Sequence, residues 1–132
     1  MAKSNLKLTQ EIYGHFSTGN IPAVFGMLTD DAAYFIPGSP DIPYAGTFNG
    51  KQEIGRFYKT LNDTLQYTSF DVKTFTSKGD KVIVEGAFAG FAKPTAKNFE
   101  TDWVMIWTFA DGKIKKHQTF LDSNNIAKSL KA

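Results

Sequence analysis

The stretch ETDWVMIWTFADGKIKKHQTFL, residues 100–121, decides the fold class of this chain. Trp103, Met105 and Trp107 recur with period two, the spacing at which side chains of a β-strand share one face. Glu100 to Phe109 and Lys113 to Leu121 flank Ala110-Asp111-Gly112, a turn signal that joins two antiparallel strands in a hairpin. Upstream, Lys81 to Phe91 sets Val82, Val84, Gly86 and Phe88 against Ile83, Glu85, Ala87 and Ala89, and its small residues permit a bend or the close approach of another backbone. The turn-rich KPTAKN separates the two. Phe70, Val72 and then Phe75 mark an earlier strand that ends at Lys78-Gly79-Asp80.

Before Tyr67 the period is helical. Ile54, Phe57, Tyr58, Leu61 and Leu65 keep helical spacing behind Gly50, and Glu53 adds the acidic residue expected in a first turn. Leu8, Ile12 and Phe16, with Tyr13 alongside, predict an amphipathic helix stopped by Gly19. Asn20 then caps a short helix that carries Pro22 in its first turn and ends at Asp30-Asp31. Ala32 to Ile36 reads as a short strand. The following PGSPDIPYAGTFNG, with three prolines and three glycines, reads as a loop. Asp122 or Ser123 caps a last helical turn towards Leu130. Three helices followed by a run of antiparallel strands predict an α+β fold, in which helices cover the concave face of a curved, cone-shaped sheet with a natural cavity.

Composition narrows the function classes. The 132 residues, 42% hydrophobic, are read as one domain spanning residues 1–132. Without cysteine, disulfides, thiolate nucleophiles and Cys-ligated metal are excluded. Two histidines among scattered carboxylates form no metal-ligand spacing, and neither a metal nor a cofactor is expected. A net charge of +2 without a basic block, and Arg56 as sole arginine, argue against nucleic acid. No apolar run approaches the roughly 20 residues of a membrane span, and MAKSNLKLTQ lacks the features of a signal peptide, so a cytoplasmic protein without a membrane partner is expected.

The strings FSTGNIPAVFGMLTDDAAYF, YAGTFNGKQEIGRFY, GDKVIVEG and ADGKIKKHQTFLD, in this order and spacing, resemble the SnoaL-like branch of the nuclear transport factor 2-like (ketosteroid isomerase-like) superfamily. The resemblance covers nearly the whole chain. It implies a curved sheet wrapped on helices, a deep apolar pocket and a homodimer paired through the outer sheet face. It does not imply one reaction. Against the steroid isomerases, Ile36 stands where the base belongs and Met105 near the second acid, leaving Tyr13 as a lone donor. Against the limonene-type epoxide hydrolases, Phe120-Leu121-Asp122 matches the end of the last strand, but Gly86 and Phe88 replace the required Arg and Asp. SnoaL-type polyketide cyclases need one acid near that point, and Asp122 fits, although their histidine would fall at Trp107-Thr108.

Asp122 is thus the candidate general acid/base for an isomerase, cyclase or lyase acting on an apolar carbonyl-bearing substrate, with His117 and Asp41 as further candidates. Each has a plain alternative. Asp122 precedes a helix and can serve as its cap. Strand alternation puts Gln118 on the face of Asp122 and turns His117 away from it, unless a bulge intervenes. Tyr13, Tyr34, Tyr44, Phe57, Trp103, Met105, Trp107 and Gln118 are the expected lining of a pocket for a small apolar ligand, or else, for the aromatic residues, core filling. Tyr58 belongs to the same aromatic set. The loop from Pro37 to Gly50 is read as a lid that places Tyr44 over the mouth. A non-catalytic ligand-binding or dimeric interaction domain of the same fold is the alternative function.

Overall fold

The computed structural model describes residues 3–132. Helix α1 (Asn5–Ser17) starts where the Ser4 hydroxyl accepts a hydrogen bond from the Lys7 N–H. A one-turn helix α2 (Ile21–Phe25) follows, with proline in its first turn. Strand β1 (Leu28–Ile36) is longer than the sequence reading, because Asp30 and Asp31, read there as a helix end, lie within it as exposed residues. The predicted loop contains a further short strand, β2 (Gly46–Asn49), paired antiparallel to β1. Helix α3 (Gly50–Thr64) starts with half of a capping box, the Asn49 N–H donating to Glu53 Oε1 at 2.8 Å.

The remaining strands are β3 (Leu65–Lys78), β4 (Lys81–Ala92), β5 (Asn98–Ala110) and β6 (Lys113–Leu121), closed by helix α4 (Ser123–Ser129). They form a six-stranded sheet in the order β2-β1-β6-β5-β4-β3. The β5–β6 turn has Asp111 and Gly112 both at positive φ, 51° and 78°, as a two-residue hairpin of matching twist requires. The sheet is not wholly antiparallel: β1 runs parallel to β6, and the register between them shifts from Leu28 to Ala33. The chain passes over the concave face as α3, then β3, β4 and β5, before β6 lies down beside β1.

Two glycines set how far the sheet curls. Gly86 and Gly90 both lie on the concave face of β4, in step with Val82, Val84 and Phe88. A Cβ on Gly86 would meet the Asp71 carbonyl oxygen at 2.2 Å and Trp103 Cζ2 at 2.4 Å. A Cβ on Gly90 would meet the Gln66 carbonyl at less than any tolerable contact. These are the close approaches that the small residues of the sequence foreshadow. Strand β3 answers with register shifts between Tyr67 and Ser69 and between Val72 and Thr74. The shifts turn Tyr67, Phe70 and Phe75 to the same side although they are spaced three and five residues apart, so all three rings pack against the core.

Gly86→Ala is expected to cost about 2 kcal/mol, since either the β3 backbone or the Trp103 ring must move. Gly14→Ala, in α1 with nothing near its missing Cβ, is expected to stabilise by about 0.5–1 kcal/mol. Urea unfolding midpoints of the two variants against wild type test both signs.

Candidate functional site

The concave face is aromatic from end to end. Tyr13, from α1, stacks on Trp103 with ring centroids 5.9 Å apart and planes 11° from parallel, and meets Trp107 edge-on at 6.1 Å. The Trp107 indole N–H donates to Tyr13 Oη at 3.0 Å, and the Tyr13 hydroxyl in turn donates to Met105 Sδ at 3.1 Å. Beside this chain, the hydroxyls of Tyr34 (β1) and Tyr58 (α3) are 2.7 Å apart. The His117 ring lies 4.1 Å from Trp107 and 4.7 Å from Tyr34 by centroids, and its Nε2 is 2.7 Å from Thr119 Oγ1. Burial raises the pKa of Tyr13, Tyr34 and Tyr58, so these groups are neutral donors at any ordinary pH.

Three buried polar atoms among the described residues have no partner: Oε2 of Glu11, whose other oxygen takes Lys3 at the surface, and, among the rings, the indole N–H of Trp103, a residue 2% exposed, and Nδ1 of His117, 4% exposed. Such groups are costly to leave unpaired and call for an explanation. The rings otherwise close on one another, and two open grooves lie elsewhere. One of about 510 Å³ runs past Thr68, Asn98, Glu100 and Asn125, and one of about 190 Å³ past Phe35, Gly46, Gln118 and Phe120. Neither is lined by Tyr13, Trp103, Trp107 or His117. The deep apolar hollow of the sequence reading is therefore filled by side chains, because the bulged β3 adds Tyr67, Phe70 and Phe75 to the aromatic residues anticipated on β5 and the helices. No sequence signal short of the bulges themselves reveals those three as interior residues.

Of the expected lining, Tyr13, Tyr34, Tyr44, Phe57, Trp103 and Trp107 are buried together in the core, with Met105 packed against them. Gln118 is not: it pairs with Ile106 and Phe35 on the outer face and edges the smaller groove. The reason is the parity of β6. His117 stands opposite Trp107 and alongside Tyr34, which are both wholly buried, so from here on His117 and Thr119 point inward and Gln118 outward. Asp122 is exposed, and its carboxylate accepts the Asn125 N–H at 3.3 Å as the N-cap of α4, while its own N–H donates to Thr101 Oγ1. His117 and Asp122 are not brought together. Asp41 is exposed on the loop, 3.9 Å from Lys131 Nζ. The loop does close inward through Ile42 and Tyr44, both buried, the latter against Phe57 at 6.2 Å.

The arrangement offers neutral hydrogen-bond donors, and no Asp or Glu is among the buried residues of the described part of the chain. No cluster of His, Asp and Glu able to hold a metal occurs among them, and no helix among them is long and apolar enough to cross a membrane. Asp122→Asn is expected to leave stability within about 0.5 kcal/mol, since asparagine caps as well, whereas Asp122→Ala is expected to cost about 1 kcal/mol in thermal unfolding. Burial pushes the His117 pKa down from 6.5 to about 3. The folded chain therefore holds it neutral while the unfolded chain protonates it below pH 6.5, so its contribution to stability falls by about 1.4 kcal/mol per pH unit from there towards pH 3. Replacing His117 with Gln should flatten that part of a stability-versus-pH curve.

Comparison with known proteins agrees with this fold. The chain superposes on an NTF2-like protein from Burkholderia thailandensis with a TM-score of 0.88 at 22% identity, covering 98% of this chain and 99% of that one. It superposes on TerC, co-crystallised with polyporic acid, with a TM-score of 0.84 at 20% identity over 97% of this chain and 98% of that one. A third similar structure is a candidate SnoaL-like polyketide cyclase from Mesorhizobium loti, with a TM-score of 0.74 at 16% identity, covering 89% of this chain and 99% of that one. A search among curated proteins finds no match. The model of the SnoaL-like domain matches residues 9–117, from the first helix through the strand that carries His117, and the chain belongs to that family.

Proposed function

We propose that this protein binds a small apolar, carbonyl-bearing ligand in its aromatic interior, with the Trp103 N–H as the donor that orients it. The observation that carries the reading is that N–H itself: a strong donor, buried, stacked beside Tyr13, and without a partner in the chain. A ligand carbonyl would satisfy it, and the two rings would supply most of the apolar contact. The polyporic acid held by TerC, a relative in fold only, supports small-molecule binding in this architecture. Entry requires the rings to part, and the loop bearing Ile42 and Tyr44 is the segment whose displacement would open the interior at the side of Phe57.

Catalysis has less behind it than binding. A cofactor-free isomerase, cyclase or lyase working through Asp122 needs that carboxylate beside the ligand, whereas the side chain is exposed and engaged as a cap. His117 is buried with the ligand-facing rings but resists protonation. We take the working unit to be a homodimer joined through the outer face of the sheet, supported by Phe120, which is 50% exposed on β6 opposite Val104.

A thermal-shift panel of steroids, polycyclic ketones, terpenoids and aromatic acids tests the reading. One class is expected to raise Tm by several degrees at saturating concentration, as binding to the folded state alone must. Trp103→Phe keeps a ring in place and removes the donor, and is expected to weaken that ligand about fivefold to tenfold. A panel without any shift, or a ligand indifferent to Trp103→Phe, would overturn it. Turnover abolished by Asp122→Asn with ligand affinity intact would instead establish the enzyme.

A further inference from the structure

The imidazole of His117 is the second buried ring with an unpartnered nitrogen, and strand register fixes its place relative to Trp103. Trp107 stands opposite His117 and Trp103 opposite Leu121, so the two groups project inward from neighbouring strands four residues apart, roughly 13 Å along the strand. Between them Met105 stands opposite Thr119. Met105 is only partly buried, although the tryptophans on either side of it are 2% and 0% exposed. Its sulfur accepts the Tyr13 hydroxyl at 3.1 Å, and a thioether is a weak acceptor. An unbranched side chain held by one weak bond is the part of this floor that yields most readily to a ligand.

The role that Nδ1 offers follows from Thr119. A neutral imidazole carries one N–H and one bare nitrogen. Nε2 lies 2.7 Å from Thr119 Oγ1, and neither side chain has another hydrogen-bond partner among the described residues. With the proton on Nε2, that nitrogen donates to Oγ1, which leaves both the Thr119 hydroxyl proton and Nδ1 without a partner in the chain. With the proton on Nδ1, the Thr119 hydroxyl donates to Nε2, and Nδ1–H is the single group left over. The second arrangement leaves one buried polar group unsatisfied instead of two. The flanking rings cannot relieve it. The Trp107 indole N–H already donates to Tyr13, and the Tyr34 hydroxyl is engaged with Tyr58.

We infer that the interior takes an elongated apolar ligand with a hydrogen-bond acceptor at each end, one on the Trp103 N–H and the other on the His117 Nδ1–H. This rests on the ligand-binding reading above and adds the second polar end and the length. With part of the span taken up by the hydrogen bonds themselves, the two acceptors stand about 10 Å apart, the separation of carbonyl groups at the two ends of a biphenyl. The middle of the ligand is apolar, because Met105 and the Tyr13 ring are what it lies against. A ligand with one acceptor leaves the other donor buried and unpaired, which is how a site of this kind discriminates. His117 serves here as a neutral donor, in keeping with the burial that resists its protonation.

The tautomer and the ligand preference are tested separately. Nitrogen NMR of the labelled imidazole at neutral pH is expected to show the proton on Nδ1 before any ligand is added, with Thr119→Ser keeping it there and Thr119→Val releasing it to a mixture. By calorimetry, para,para′-diacetylbiphenyl is expected to bind about fivefold to tenfold more tightly than para-acetylbiphenyl. His117→Phe should abolish that preference and leave the affinity for the single ketone unchanged. Thr119→Val, close in shape to wild type and retaining the imidazole, should reduce the preference as well. A proton found on Nε2, equal binding of the two biphenyls by wild type, or a preference that survives His117→Phe would overturn the second donor and leave the interior site standing. Neither biphenyl bound at about 100 μM would overturn the inference together with the interior site on which it rests.

Discussion

The Trp103 ring sits where a side chain on Gly86 would be, and the rest of the structure depends on that vacancy. The Asp71 carbonyl occupies the other side of the same space. Any larger residue at this point of β4 would hold β3 away and lift the indole off the sheet. With glycine, β3 wraps over the concave face and carries its rings inward, and Trp103 lies flat enough to stack against Tyr13 from the first helix. One missing methyl group thus joins the sheet's curvature to the helix that covers it. Gly90 does the same one step along, against Gln66.

The interior that results is uniform in one respect: every polar group in it is neutral. Tyrosine hydroxyls, indole N–H groups and an imidazole kept unprotonated by burial share the space with apolar rings. The carboxylates lie on the rim and the outer surface. Stable charge is too expensive inside such a shell without a partner, so hydrogen bonding is the polar interaction this interior offers. That is why the unpaired Trp103 N–H carries more weight here than Asp122, whose carboxylate already has a structural use at the head of α4.

The two faces of the sheet divide the labour. Inward residues of β4, β5 and β6 build the aromatic interior, while outward residues at the same register mix charged side chains such as Lys81, Glu85 and Asp102 with apolar ones such as Ile83, Val104 and Phe120. Strand alternation makes these choices independent, so a change on one face need not disturb the other.

Much of this was legible in the order of residues. Helical spacing around Ile12 and Ile54, the Asp111-Gly112 turn, the small residues of β4 and the alternation of Trp103, Met105 and Trp107 follow from local chemistry, and local chemistry is what a sequence displays. What pointed inward on β6 did not follow from it. His117 and Gln118 are equally compatible with either face, and only the register with Trp107 and Tyr34 decides between them. The bulges of β3, the parallel pairing of β1 with β6 and the filling of the hollow belong to the same class. By itself the sequence determined most helices and strands, though not β2 or the start of β1, and which side chains share a face where a strand runs without a bulge; the tertiary structure alone decided which face is the inside, because that depends on strands far apart in the chain meeting at one register, where each side chain's cost is set by neighbours it does not have in sequence.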